Sequence, residues 1–294
     1  NKKLGYVIEN KKFSKILINK LKKFKNTKVH HDFNLINIKA NNKNSLAFSN
    51  SNIINSKIII AADGKNSQIK KIVGNKTFKK NYNESALVLN FGHEKKLNNT
   101  AYEIFYKTGP LAILPMKSSK NFVQSTIIWS NKDKFLNKLI SMEEKFITCF
   151  MEEKIGKIVG GITKINSKQI FPLSAQINDS FFNRQLIYVG DAAHSIHPIA
   201  GQGWNLGLRD VKSLINLLNK TKKNKLEIGN KNFCHTYNDD CYYDAYSLFE
   251  ITDKLDWIFK KDKLFYKYLK KIGLNSINKN LFLKEKIVKF AMGV

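Results

Sequence analysis

The sequence predicts an α/β fold, in which a doubly wound domain is interrupted by a mostly antiparallel sheet and followed by a helical tail. Three observations carry this. Two continuous apolar runs, Ile58-Ile-Ile-Ala-Ala62 and Leu186-Ile-Tyr-Val189, each end in an acid beside a glycine, Asp63-Gly64 and Gly190-Asp191. Short apolar runs of this kind read as buried strands, and open α/β sheets bind ligands beyond the carboxyl ends of their strands. Between the runs lie short strand-like segments separated by Lys/Asn turns, and beyond them the apolar spacing is helical.

Taken in order, residues 6–25 place apolar residues and lysines at helical spacing and predict one amphipathic helix. Lys28–Ile38 and Ser45–Phe48 predict strands joined by a turn at Asn41-Asn-Lys-Asn44. After Asp63-Gly64 a helix is expected from Ser67, with Ile69 and Ile72 inward and Lys70 and Lys71 as solvated charges. Ala86–Phe91, Ala101–Tyr106, Leu111–Pro115 and Phe122–Trp129 read as strands of the inserted sheet. Ser141–Ile155 reads as a helix opened by a Ser141/Glu144 capping box, and Lys164–Leu173 as a returning strand. Trp204 opens a helix that carries Leu208, Val211, Leu214, Ile215 and Leu218. A polar linker is expected over 219–231. Further helices complete the chain, with Gly273 as a breaker and a last turn at Ile287–Ala291. The expected domains are 1–78, 79–174, 175–219 and 220–294.

The 294 residues suffice for more than one domain, and 43% hydrophobic content excludes a disordered chain. The formal charge of +28 invites a nucleic-acid or anionic-membrane partner. Its composition argues otherwise for nucleic acid: only Arg184 and Arg209 are arginines, and the lysines are spread along an Asn- and Ile-rich chain. No nucleic acid is therefore expected. Three cysteines, Cys149, Cys234 and Cys241, have no framework spacing and suit a reducing compartment. No apolar run reaches the ~18–20 residues of a membrane span.

The central candidate site is Gly190, Asp191 and the loop Pro198, Ala200, Gly201, Gln202, Gly203, leading into Trp204 and Asn205. Glycines ahead of a helix let backbone N–H groups approach an electron-rich ligand closely. Asp63 and Gly64 form the second junction. Either acid could instead be a plain turn residue that caps the next segment of chain. Asp191, His194 and His197 lie three residues apart, but Pro198 and the glycines interrupt any helix and further ligands are lacking, so no metal is expected. Trp204, Phe249, Trp257 and Phe259 have core-like spacing. No Gly-x-Ser-x-Gly elbow occurs, which leaves acyl-transfer hydrolysis unsupported.

The stretch Gly190-Asp-Ala-Ala-His-Ser-Ile-His-Pro-Ile-Ala-Gly-Gln-Gly-Trp-Asn-Leu-Gly-Leu-Arg-Asp210 resembles the second FAD-binding motif of flavin-dependent aromatic hydroxylases. Its His-Pro-Ile-Ala-Gly-Gln-Gly core resembles the ubiquinone-biosynthesis hydroxylases (the UbiH/UbiF/VisC-like group). Ala62-Asp-Gly-Lys-Asn-Ser67 is similar to their Asp-Gly motif. Tyr102-Glu and Gly109-Pro-Leu-Ala-Ile-Leu-Pro115 resemble a substrate-domain strand pair, and Thr252-Asp253 with Ala291-Met-Gly293 the C-terminal helices.

The resemblance implies FAD as cofactor, with Asp191 on the ribityl chain, 198–203 along the isoalloxazine and Trp204-Asn205 at its pyrimidine edge. Asp63-Gly64 would touch FAD and, transiently, NAD(P)H. It implies hydroxylation of a polyprenylated phenol with NAD(P)H and O₂ through a flavin hydroperoxide; no catalytic side chain is named. Other implied partners are an anionic membrane, met peripherally, and fellow ubiquinone-pathway enzymes. The location implied is cytoplasmic, at the inner membrane.

The family's Gly-x-Gly-x-x-Gly loop is not in the sequence, so a chain shortened by one or two βαβ units is expected. Lys70 stands where an Arg is usual, and Ile104 where an Arg often follows the glutamate. The alternatives are another FAD oxidoreductase of this fold (a polyprenyl-lipid reductase or small-phenol hydroxylase) or a basic lipid- or nucleic-acid-surface binder with an inactive flavin site.

Overall fold

The computed structural model describes residues 5–31, 33–40, 45–49, 52–117 and 123–292. The predicted 41–44 turn lies outside them. The chain has a mixed α/β fold with antiparallel sheets and a helical C-terminal region. In order it forms α1 (Asn10–Leu21), β1 (Asn37–Ala40), β2 (Ser45–Phe48), β3 (Ile53–Ser56), β4 (Ile59–Ala61), α2 (Gln68–Val73), β5 (Thr77–His93), β6 (Tyr102–Tyr106), β7 (Gly109–Pro115) and β8 (Val123–Lys132). Then come α3 (Asp133–Ile140), α4 (Glu144–Val159), β9 (Ile162–Asn178), β10 (Phe182–Asn183), β11 (Leu186–Tyr188), β12 (His194–Ser195), α5 (Gly203–Lys223), α6 (Lys231–Lys260), α7 (Leu264–Lys279) and α8 (Leu281–Met292).

Two compact units result. One comprises Asn1–Phe33, Ser85–Phe105 and Pro110–Phe171; the other comprises Asn34–Glu84, Tyr106–Gly109 and Pro172–Val294. The largest sheet among the described residues has six strands in the order β12-β9-β5-β8-β7-β6.

In the first unit β7 and β8 pair antiparallel, Leu111 opposite Trp129 and Ile113 opposite Ile127. Alternate residues of a strand face one side, so these four are buried together. Helix α4 presents Ile147, Met151, Ile155 and Val159 at four-residue spacing, and all four are buried. The expected capping box is not formed. Ser141 terminates α3, a helix that the apolar spacing did not reveal, and its Oγ donates to Lys138 O at 2.9 Å. A Ser three before a Glu marks a start only if no helix precedes it.

The second unit holds an antiparallel β1-β2-β3 sheet and a small β10-β11-β4 sheet. Its core joins Leu186, Ile187 and Tyr188 of β11, Leu206, Leu214 and Leu217 of α5, and Phe233, Tyr237, Cys241, Ala245, Leu248 and Phe249 of α6. Burial raises the Cys234 thiol to about 11 and the Cys241 thiol to about 12, which leaves both protonated and inert. The polar 219–231 linker shrinks to the residues between Lys223 and Lys231, because α5 continues through its lysines. Gly273 does not break α7, which runs through it. A lone glycine in a helix costs only ~1 kcal/mol. No described helix is long and apolar enough to cross a membrane.

Candidate functional site

The two strand ends converge. β4 and β11 pair in parallel, Ile59 opposite Leu186 and Ala61 opposite Tyr188, and Val189 N–H donates to Ala61 O at 3.0 Å. Asp63-Gly64 and Gly190-Asp191 therefore leave adjacent strands at the same, carboxyl end. Asp63 does cap: its Oδ2 accepts the Ile69 N–H at 3.1 Å, while Ser67 Oγ accepts that of Lys70 at 3.0 Å. Asp191 is exposed within the 3-10 turn Gly190–Ala192. Lys65, whose Nζ donates to Ser174 O at 2.7 Å, has its pKa lowered by burial, with the nearby Asp191 charge opposing that.

The second junction is braced from behind. Asp210 is 1% exposed, and its Oδ2 accepts both Gly190 N–H at 2.8 Å and His194 Nε2–H at 2.7 Å. Gly190 needs to be glycine: its φ is +60°, and a Cβ on the facing Gly207 would already lie 3.3 Å from its Cα. The bare backbones of strand exit and helix thus touch, which puts the start of α5 at the strand's end. His194 faces this buried carboxylate and has no role on the surface.

Beyond it, Pro198 enters a 3-10 turn at Ile199–Gly201, closed by Gly201 N–H to Pro198 O at 2.9 Å. Ala200 lies within that turn. Gly201 has φ +61° and Gly64 φ +80°, and a Cβ on either, or on Gly203, would meet no atom within 4 Å. Gln202 is the N-cap of α5; its carbonyl takes the Leu206 N–H at 2.9 Å, and its side-chain oxygen lies 3.4 Å from Asn205 Nδ2. Gly203, Trp204 and Asn205 form the first turn of the helix. No acidic residue occupies that first turn.

Three sequence expectations change here. Trp204 and Trp257 are each 49% exposed, so of the aromatics read as core only Phe249 is buried outright. Lys70 is not a solvated charge: it is 6% exposed, and its Nζ has no hydrogen-bond partner. Burial, with the Lys79 charge next, lowers its pKa. A metal-like cluster does exist among the described residues, but it omits Asp191 and His194.

That cluster is Glu84, His197 and Asp256, with ligand atoms within 4.8 Å of one another. Its chemistry suits a resident ammonium. Lys260 Nζ lies 2.7 Å from both Glu84 Oε2 and Asp256 Oδ2. His197 Nδ1 accepts the Ile199 N–H at 3.2 Å, which puts the neutral ring's proton on Nε2, the nitrogen a metal would need. Asp210, Asp256, Lys260 and Tyr82 were not singled out from the sequence; the Arg209-Asp210 pair ending the long motif was the one available signal.

The fold and motif have clear relatives. Residues 4–243 match the family described as FAD binding domain. Ubiquinone hydroxylase UbiL of Rhodospirillum rubrum is 28% identical over 249 residues, 85% of this chain and 57% of that protein. Mitochondrial ubiquinone biosynthesis monooxygenase COQ6 of Rattus norvegicus is 28% identical over 272 residues, 81% of this chain and 56% of that protein. The chain thus spans little more than half the length of these relatives. Among solved structures, p-nitrophenol 4-monooxygenase PnpA from Pseudomonas putida DLL-E4 superposes with a TM-score of 0.74 at 13% identity, over 97% of this chain and 73% of that one. PqsL, a probable FAD-dependent monooxygenase from Pseudomonas aeruginosa, gives 0.69 at 13% identity over 85% and 70%. These structures share the fold. The motif residues and the match across most of its length together make the chain a member of the FAD binding domain family.

Proposed function

We propose that this chain forms the flavin-facing part of an FAD-dependent monooxygenase that hydroxylates the ring of a polyprenylated phenol in ubiquinone biosynthesis. The observation that carries the reading is the parallel β4–β11 pair, which brings Asp63-Gly64 and Gly190-Asp191 to adjacent strand ends beside an open glycine loop. The names of the relatives supply the substrate class. The residues fit a flavin. A loop with glycines at 201 and 203 suits a flat ring, and a helix N-terminus with no acid in its first turn favours a ring edge that gains negative charge on reduction.

When bound, the flavin supplies the redox chemistry, taking a hydride from NAD(P)H and activating O₂ so that one oxygen atom enters the phenol ring and the other leaves as water. The chain's own part is to bind and orient. Asp191, exposed at the strand end, would accept hydroxyl hydrogen bonds from the ribityl chain. Gly203, Trp204 and Asn205 would hold the pyrimidine edge through backbone N–H groups. Pro198, Ala200, Gly201 and Gln202 would line the ring, and Asp63 and Gly64 would touch FAD and, transiently, NAD(P)H. Residues 79–174 would form the substrate-binding sheet.

A polyprenyl substrate resides in a bilayer, and α7 suits the surface of one. No residue of α7 is buried, and Leu264, Phe265 and Tyr268 are 83%, 70% and 71% exposed. At ~100° per residue, Leu264, Phe265, Tyr268, Leu269 and Ile272 share an arc of roughly 140°, bordered by Lys267 and Lys271. Anionic lipid attracts such lysines by about 1 kcal/mol each.

The test uses the natural full-length protein. Bound FAD in its visible spectrum, and O₂-dependent NAD(P)H oxidation stimulated by a polyprenylated phenol, are expected. Absence of flavin from that protein would overturn the reading. For the membrane contact, flotation with anionic but not neutral liposomes is expected, and equal flotation with both would remove the lysines' part in it.

A further inference from the structure

A buried polar chain ties the glycine loop to α6. His197, the residue before Pro198, is fully buried. Its Nδ1 accepts the Ile199 N–H, so its Nε2–H faces Asp256 Oδ1 at 3.5 Å. Neither His197 Nε2 nor Asp256 Oδ1 has a hydrogen-bond partner, so the two meet in a 3.5 Å electrostatic contact. The second Asp256 oxygen meets Lys260 at 2.7 Å, and Lys260 meets Glu84 of β5 at 2.7 Å. Tyr82, two residues before Glu84, packs its ring edge-on to His197 with centroids 4.7 Å apart. Its hydroxyl donates to Asp253 Oδ1 at 3.0 Å, one helical turn before Asp256.

Each part has a physical reason. Asp256 is 5% exposed, and a carboxylate so buried needs a fixed counter-charge, which Lys260 supplies. His197 is kept neutral, because burial above all lowers its pKa to about 4. A neutral imidazole can both accept from Ile199 and donate toward Asp256, whereas an imidazolium could not accept. The loop it serves has glycines at 201 and 203 and a local 2.9 Å bond from Gly201 to Pro198, so its internal bonds do not fix it to the rest of the unit. Buried Ile199 packs it inward, and His197 adds a polar link toward α6.

We infer that His197 is a positioning residue: with Asp256 held by Lys260 and Glu84, it fixes the 198–203 loop against α6 in the shape that receives the flavin. This rests on the flavin reading above. A preformed loop does not have to be ordered on binding, so the lock shows as cofactor affinity.

The experiment compares the full-length protein with His197→Ala, His197→Asn and Asp256→Asn, each stripped of flavin. It reads FAD affinity by fluorescence titration, the visible circular dichroism of the bound flavin, and amide hydrogen exchange over 199–206 without flavin. His197→Ala, which removes the Ile199 hydrogen bond and the Asp256 contact together, is expected to weaken FAD binding about ten-fold, to alter the flavin dichroism, and to speed exchange at 199–206. Asp256→Asn, which keeps the side-chain shape, should do the same to a lesser degree. His197→Asn, which retains a short-range acceptor for Ile199, should restore part of the affinity. Unchanged exchange at 199–206 in both His197→Ala and Asp256→Asn overturns the lock, whatever the flavin does. Faster exchange in a protein whose parent binds no FAD supports the loop lock and overturns the flavin reading alone. Lowered stability with unchanged affinity and dichroism reduces the chain to a fold anchor and overturns its positioning role.

Discussion

The two strand exits are written almost alike in sequence yet hold their acids differently. At the first, Asp63 precedes its glycine, and its carboxylate turns back onto the Ile69 N–H to start α2. At the second, Gly190 comes first, with φ +60°, and Asp191 follows in a 3-10 turn that leaves it exposed. What braces the second exit is a different acid, Asp210, sealed beneath it. Both acids are exposed, and they differ in that Asp63 caps the next helix while Asp191 leaves bracing to Asp210. One junction combines cap and strand end in a single side chain, whereas the other divides them between Asp191 and Asp210.

Breaking the hidden brace should have the largest effect. Asp210→Ala strands two buried donors, Gly190 N–H and His194 Nε2, and is expected to cost about 4 kcal/mol in urea denaturation, with no equivalent at the first exit. Acid comes next, through the loop beyond the second exit. The folded His197 pKa of about 4 lies below the ordinary 6.5, so the unfolded chain binds more protons between those values. Stability is unaffected above pH 6.5 and falls as pH drops, by up to about 3 kcal/mol at pH 4. The groups facing His197 are Asp256, Asp253, Lys260 and Lys80, and His197→Asn should flatten this part of the stability–pH curve while they remain.

The exposed acid should act on ligand alone. Asp191→Ala is expected to leave stability within about 0.5 kcal/mol and to weaken FAD binding in the full-length protein about ten-fold. A loss of stability as large as that of Asp210→Ala would erase the division of labour. Asp63→Ala should show the smallest change, about 1 kcal/mol of stability from the lost cap, and Asp63→Asn should recover most of it in the same denaturation assay.

Both exits could be read from the sequence because a buried strand announces itself as a run of apolar residues and its end as Asp beside Gly. Their meeting was an inference from having two of them, and it rests on pairing between residues 59–61 and 186–188 that no local pattern encodes. The polar chain behind the loop was out of reach for the same reason. His197 and Asp256 are distant in sequence, and Asp256 sits on a helix whose apolar spacing says only which face is inward. Lys70 was misread because a lysine on a short helix is normally solvated, and its burial follows from tertiary packing. Element boundaries failed where two signals compete. Ser141 can end one helix as well as begin another, and lysines continue α5 where they suggested a linker.

Helix α6 has 30 residues, and two of its anchors lie far apart along its length. Tyr237 Oη donates to the Tyr188 carbonyl of β11 at 2.9 Å, and Asp256 faces His197. The anchors are nineteen residues apart, ~28 Å of helix at 1.5 Å per residue. Inserting or deleting a single residue between them would shift the far anchor by ~1.5 Å and rotate it by ~100°, which would swing the carboxylate out of register with the imidazole. Substitutions on the outer face of that span leave this phase intact. Between Tyr237 and Asp256 the outer face is therefore free to vary in letters, while the inward residues Cys241, Ala245, Leu248 and Phe249 and the length of the segment are fixed.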